Sequence, residues 1–226
     1  RNGALLDLRV FLSSNFVVSV AIMAIIALSM FGTFSLLPLY LQSVVGLKAT
    51  QSGLVMLPGS ILMGLLGPLM GRIYDARGPK ILLIPGTIFV AAALLSYSTV
   101  GSQTPVWWIV STQIVMALGL AGSFTPLFSA SLGSLQRHLY SHGSAVLNTL
   151  QQVAGAAGTA LLIGIYSASL HSGATAGLTV VQAGEPGAHS AFRLAMIIAM
   201  VAVVLSIFVR KPEEDEPQPR VVNTDD

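Results

Sequence analysis

The sequence predicts an all-α integral membrane protein: six transmembrane helices packed as one bundle. Three observations carry that expectation. Hydrophobic residues make up 54% of the chain and charged residues 9%, with a mean hydropathy of +0.78, whereas soluble domains carry about a quarter charged residues. The charges are also bunched. Arg72, Asp75, Arg77 and Lys80 fall within ten residues, while Gly53–Gly71 before them and Ile81–Val106 after them carry none. Finally, the uncharged runs are about twenty residues or longer, the length of helix that crosses a hydrocarbon core of roughly 30 Å.

Residues 1–14 read as a short lead, with Arg9 near the membrane. Span one runs over about 15–44 and contains Gly32 and Pro38; a proline inside a helix removes a hydrogen bond and bends the axis. Gly46–Ala49 is a tight turn, and Thr50 is the expected N-cap of span two, about 51–72, which includes Pro58, Pro68 and a Gly67-x-x-x-Gly71 pair. The charged loop follows. Span three covers about 79–100, and a polar turn ending at Pro105 leads into span four, about 106–135. Trp107 and Trp108 at its start fit the aromatic belt of a membrane interface. After the short basic loop Gln136–Tyr140, Ser141 is the expected cap of span five, about 141–170. Residues 172–190, rich in Gly, Ala and Thr, read as a long and loosely ordered connection. Span six covers about 191–209, with Arg193 snorkelling at its start. Residues 211–226 are Pro-rich and acidic and read as a disordered tail.

Nine of the eleven Lys and Arg residues fall on one side of such a bundle: Arg1, Arg9, Arg72, Arg77, Lys80, Arg137, Arg210, Lys211 and Arg220. Lys48 and Arg193 fall on the other. Lys and Arg are retained on the cytoplasmic side, so both termini are expected there. The same placement accounts for the net charge of +2 and pI near 9.2 without nucleic acid. With no cysteine, disulfides and thiolate metal sites are excluded. The chain opens on Arg rather than Met, with no signal peptide before span one, and reads as a piece of a longer protein.

The candidate functional residues are mostly uncharged. Asn148, Gln152, Gly155 and Thr159 recur at intervals of four, three and four, which places them on one helical face with Gln151 beside it. An amide in hydrocarbon faces either a wet cavity or another helix, and both readings stand at this point. Tyr40 and Gln42, just past Pro38, either gate or touch a substrate from a bent helix, or anchor the interface. Gln113, Thr125 and Ser129 in span four are further cavity candidates, against the alternative that Ser and Thr bond back to their own helix. His138 and His142 have the spacing of two metal ligands, but no third ligand lies nearby, and a zinc site needs at least three from the protein. No Asp or Glu falls within the expected spans, so this stretch shows no intramembrane proton site. There is no phosphate-binding glycine loop and no HExxH, and neither an enzyme nor a cofactor is expected.

The charged loop, with Gly71, Asp75, Gly78 and Lys80, resembles the conserved loop of the major facilitator superfamily; Ala76 and Pro79 stand where that superfamily often has further basic residues. Leu37–Gln42, Gly53–Gly59 and above all Tyr140–Gln152 are similar to the fourteen-helix drug:proton antiporter family, the EmrB and QacA type, in its C-terminal six-helix half. The likeness covers roughly Leu5–Arg210. The resemblance implies one half of a proton-coupled multidrug efflux transporter working by alternating access in the plasma (bacterial inner) membrane. Its substrates would be small amphipathic drug-like molecules, and its proton-carrying acids would lie in the N-terminal half. It further implies that Asp75 with Arg72, Arg77 and Lys80, framed by Gly71 and Gly78, latches a cytoplasmic gate; a carboxylate beside a helix N-terminus is the physical basis expected. The alternative is a stand-alone six-helix membrane module or the partner subunit of a carrier.

Overall fold

Backbone amides in hydrocarbon have no water to bond, so long apolar runs must satisfy their hydrogen bonds internally, and a helix does so along its own axis. The computed structural model describes residues 8–209. The outer part of the expected lead, the expected tail, and Arg1, Arg210, Lys211 and Arg220 lie outside the described residues. A short 3-10 helix at Leu8–Leu12 precedes six helices: α1 (Ser14–Ser43), α2 (Ala49–Arg77), α3 (Lys80–Tyr97), α4 (Val106–Gly133), α5 (Tyr140–Thr175) and α6 (Val180–Ser206). All six are long and apolar enough to cross a membrane.

Local chemistry sets the ends. Ser13 caps α1 by accepting the amide of Phe16 at 3.4 Å. α2 starts before the expected cap: Lys48 is its N-cap, and Gln51 Oε1 accepts the Lys48 amide at 2.9 Å. Its far end stops at Gly78, whose φ of 78° and ψ of 179° suit only a residue without Cβ.

The largest departure from the expected layout lies at 172–190, which is helical hairpin rather than loose connection. α5 continues to Thr175, and Gly177 (φ 74°) makes the turn. Thr179 and Gln182 then form a reciprocal capping box, with Gln182 Oε1 accepting the Thr179 amide at 2.9 Å, and start α6 eleven residues before the expected 191. Arg193 therefore sits in mid-helix. The glycines that suggested disorder are contact points instead: a Cβ on Gly187 would come within 2.6 Å of Ser169 Cβ, and one on Gly173 would overlap Ala183. At 36 residues α5 is about 54 Å long, well beyond the membrane core. The longer helices also take in two acids, Asp75 in the last turn of α2 and Glu185 in the second turn of α6, both close to helix ends.

α1 and α4 form the centre. Some 61% of the most apolar stretch of each is buried, against 11% for α2 and 22% for α5. α1 packs on α5 and α6, α4 packs on α2 and α3, and α3 meets α6 behind them. Each central helix thus carries two others, α5 and α6 on α1 and α2 and α3 on α4, but α5 packs extensively on α6 whereas α2 barely touches α3. The central contacts are close. Gly32 and Gly158 bring α1 and α5 together, and a Cβ on Gly32 would lie 2.8 Å from the Gly158 carbonyl oxygen. Gly86 and Gly119 do the same for α3 and α4, a Gly119 Cβ falling 2.7 Å from the Val90 amide nitrogen. Small residues at such crossings let backbones approach where hydrocarbon supplies no hydrophobic drive to associate. α2 is held differently: its buried residues are Ser52, Val55 and Gly59, all in its first eleven positions.

Candidate functional site

Of the faces left without a partner among the described residues, one on α2 and one on α5 are lined by small residues. On α2 a stripe of Gly53, Ser60, Gly64, Gly67 and Gly71 recurs at helical spacing, and a Cβ on any of its four glycines would meet nothing within 4 Å. Gly59, one step round the helix, instead rests on Gln113 of α4. On α5 the exposed stripe is Ala156, Ala160, Gly164 and Ser167. Faces this poor in bulk accept another helix at short range.

The amide stripe of α5 divides between its two readings. Asn148 and Gln152 are exposed and Gln151 is half-buried; Asn148 Nδ2 donates back to the Ser144 carbonyl at 2.9 Å. One and two turns on, the same face closes against α1. The Phe31 ring sits over Gly155, Thr159 Oγ1 lies 3.2 Å from Ser35 Oγ, and it donates to the Phe31 carbonyl at 3.3 Å. The upstream amides are open and the downstream hydroxyl joins helices.

Tyr40 and Gln113 lie inside the bundle. Tyr40 is 1% exposed, and its hydroxyl donates to the Val100 carbonyl at 2.6 Å, tying α1 to the α3–α4 turn. Gln113, also 1% exposed, accepts the Tyr97 hydroxyl at 2.6 Å through Oε1, tying α4 to α3. Each is a satisfied interior group shut off from either open face. Gln42 is exposed, with Nε2 donating to the Pro38 carbonyl at 3.1 Å. Thr125 is half-buried and Ser129 exposed on α4.

At the charged end, Arg72, Asp75, Arg77 and Lys80 are all exposed, and the described residues contain no ion pair among them. Asp75 lies in the last turn of α2, near the negative end of that dipole, and the first turn of α3 holds no acid. Arg77, in the same last turn, is the residue the α2 terminus favours. Gly78 is buried and donates its amide to the Tyr74 carbonyl at 2.7 Å, fixing the bend between the two helices.

A second polar cluster at the opposite end had no counterpart in the sequence reading. Glu185 of α6 accepts the Ser102 amide at 3.3 Å, and His189 Nε2 donates to the Val100 carbonyl at 2.9 Å, the same oxygen that Tyr40 reaches. Tyr166 of α5 joins through Ser43, their hydroxyls 2.6 Å apart. The spacing of Glu185, His189 and Arg193, four and four, was the available signal, hidden by the reading of 172–190 as irregular. Among the described residues no group of three or more His, Cys, Asp or Glu is placed to hold a metal.

Comparison with known proteins agrees with this architecture. Residues 2–159 match the Major Facilitator Superfamily. The chain is 36% identical over 215 residues to an uncharacterized MFS-type transporter, YcnB, of Bacillus subtilis, covering 95% of this chain and 45% of that protein. It is 37% identical over 216 residues to the lincomycin resistance protein LmrB of Listeria monocytogenes, at 92% and 45% coverage. With a multidrug resistance protein B homolog of Mycobacterium tuberculosis it shares 33% identity over 160 residues, 70% of this chain and 30% of the other. The chain thus spans about half the length of YcnB and LmrB. A bundle of six membrane-length helices, with a family match across most of its length, makes this chain a member of the Major Facilitator Superfamily.

Proposed function

We propose that the chain is the C-terminal half of a proton-coupled multidrug efflux transporter that works by alternating access. The observation that carries this reading is the pair of unpartnered small-residue faces on α2 and α5, with the exposed amides Asn148 and Gln152 at the edge of one of them. A transporter of two rocking bundles needs such surfaces: smooth enough to slide, and polar enough at mid-membrane to hold a substrate loosely. The names of the relatives, lincomycin resistance and multidrug resistance, support a drug-like substrate.

In this reading Asn148, Gln151, Gln152 and Thr125 face the substrate path, and Gln42 stands at its outer end. Tyr40 and Gln113 hold the wall from behind. Arg72, Asp75, Arg77 and Lys80, free of ion pairs within the described residues, are available to the N-terminal bundle as a cytoplasmic gate, with both termini on that side of the plasma membrane. Proton exchange is assigned to the N-terminal half.

Asn148→Ala and Gln152→Ala in the full-length protein test the reading. Export of a cationic dye such as ethidium from loaded cells should fall several-fold at unchanged expression. Undiminished export by both variants would overturn the assignment of these amides to the substrate path.

A further inference from the structure

The level of the membrane at the outer end of the bundle is fixed by two independent features. α3 ends at Tyr97 and turns through Val100. Trp107 and Trp108, 64% and 45% exposed, follow that turn, with Trp108 Nε1 donating to Ser96 Oγ at 3.0 Å. His189 bonds the Val100 carbonyl and therefore lies at that same level. Arg193 is one helical turn, about 6 Å, deeper.

Arg193 is exposed and has no hydrogen bond or ion pair among the described residues. Its face of α6, turned away from α1, α3 and α5, continues downward as Ile197, Met200, Val201 and Val204, each at least 50% exposed. Upward it reads His189, Pro186, Glu185 and Gln182. The face thus changes from polar to wholly apolar in one step below Arg193. A guanidinium at this boundary, with hydrocarbon beneath it and no ion pair among the described residues, extends upward to the headgroup level, where lipid phosphates are the nearest anions outside the chain.

A surface cavity of about 430 Å³ lies over the stripe, its polar lining made by Gln182, Glu185, His189, Ser190 and Arg193. Its charges are ordered by depth. The cation lies at the bottom. His189 is in the middle; its Nε2 is committed to Val100, so the second ring nitrogen is left for a ligand. The carboxylate of Glu185 is at the top and has no cationic partner among the described residues. Glu185 and Arg193 are eight residues, about 12 Å, apart along the axis.

We propose that this stripe binds the headgroup of a phospholipid in the adjoining leaflet. Arg193 takes the phosphate, which lies nearest the hydrocarbon, and Glu185 takes an ammonium group carried further out. The order of charges matches a zwitterionic headgroup with a protonated amine and disfavours one with a second anion, which would meet Glu185. Arginine suits the deep position because its planar fork meets two phosphate oxygens at once. Glu185 and His189 also hold the α3–α4 turn, so a bound headgroup bears on the clasp that joins α6 to α1 through Val100.

The test is native mass spectrometry of the full-length protein, delipidated in detergent and titrated separately with phosphatidylethanolamine, phosphatidylglycerol and inorganic phosphate. The wild type should bind phosphatidylethanolamine more tightly than phosphatidylglycerol and show no matching adduct with inorganic phosphate. Arg193→Leu should weaken binding of both lipids about tenfold, and Arg193→Gln should do so as well should the leucine variant misfold. Arg193→Lys should retain part of the affinity. Glu185→Gln, which still accepts the Ser102 amide, should bind both lipids but lose the preference between them. Unchanged lipid binding in the properly folded Arg193 variant would overturn the site. Displacement of the lipid by inorganic phosphate at equal concentration would overturn its assignment to a headgroup, and an unchanged preference in Glu185→Gln would overturn the role of the carboxylate.

Discussion

Gly158→Ala is the sharpest test of how the bundle is held together. Gly158 faces the backbone of α1: an added Cβ would overlap the Leu28 carbonyl oxygen and sit 2.7 and 2.8 Å from the Leu28 carbonyl carbon and Cα. These obstacles are backbone atoms of a central helix, so no rotamer change relieves them and α1 and α5 must separate by about an ångström. Overpacking of this kind costs about 1–3 kcal/mol. Separation also loosens the Gly32 contact and the Ser35–Thr159 bond, which puts the cost at the upper end of that range. Against it stands the gain in helix propensity, about 1 kcal/mol for Gly→Ala. Gly164→Ala, two turns further along the same helix with nothing within 4 Å of its Cβ, keeps the gain without the clash. The expected outcome is a net loss of roughly 2 kcal/mol for Gly158→Ala and a gain of up to about 1 kcal/mol for Gly164→Ala. Thermal unfolding in detergent, followed through Trp107 and Trp108 fluorescence, should separate the two variants by about 6–12 °C at 2–4 °C per kcal/mol. Equal midpoints for the two variants would refute the argument that the α1–α5 contact is limited by backbone contact at Gly158.

Other expectations follow from the same geometry. Tyr97→Phe strands the buried Gln113 Oε1 and should cost about 1–2 kcal/mol, whereas adding Gln113→Leu should recover most of it; a double-mutant cycle by denaturation reads the coupling, and additive losses would count against the bond. Gly78→Ala forces a Cβ into a backbone region reserved for glycine and should cost about 1–3 kcal/mol in the same unfolding assay, while an unchanged midpoint would show that the α2–α3 bend is not constrained there. Gly67→Leu, on the open α2 face, should leave the α4-facing packing and protein yield intact yet lower dye export by the full-length protein. Full export would exclude this face from any moving contact.

The six helices were legible because charge is confined to a few knots and every apolar run is long. The ends were less so. Residues 172–190 lacked both hydrophobic length and periodic contrast, and their helicity comes from contacts a single segment does not reveal: Gly173 against Ala183, Gly187 against Ser169, and a capping box that only Thr179 and Gln182 together announce. The common face of Asn148, Gln152, Gly155 and Thr159 followed from spacing. Which part would meet α1 did not, because Phe31 and Ser35 are more than a hundred residues away in sequence. Tyr40 was legible as a polar ring near a helix end, but its partner at Val100 is 60 residues away. Helical spacing gives angle, and only the fold gives the neighbour.

The fully buried residues of α2 all fall in its first eleven positions, and beyond them Met63 and Tyr74 pack only partly against the core, so the helix is held more firmly at its start than towards the charged corner. From Gly59 to Arg77 is eighteen residues, about 27 Å, and the charged corner lies at that far end. A tilt of about ten degrees at the start, well within the scatter of helix crossing angles, swings the far end by roughly 5 Å. Over the roughly 10 Å from Ser52 to Gly59 that tilt is a shift of only about 2 Å, and the far end then travels far enough to make or break a charge contact. The helix least enclosed by this bundle is, for that reason, the one with the greatest mechanical advantage in it.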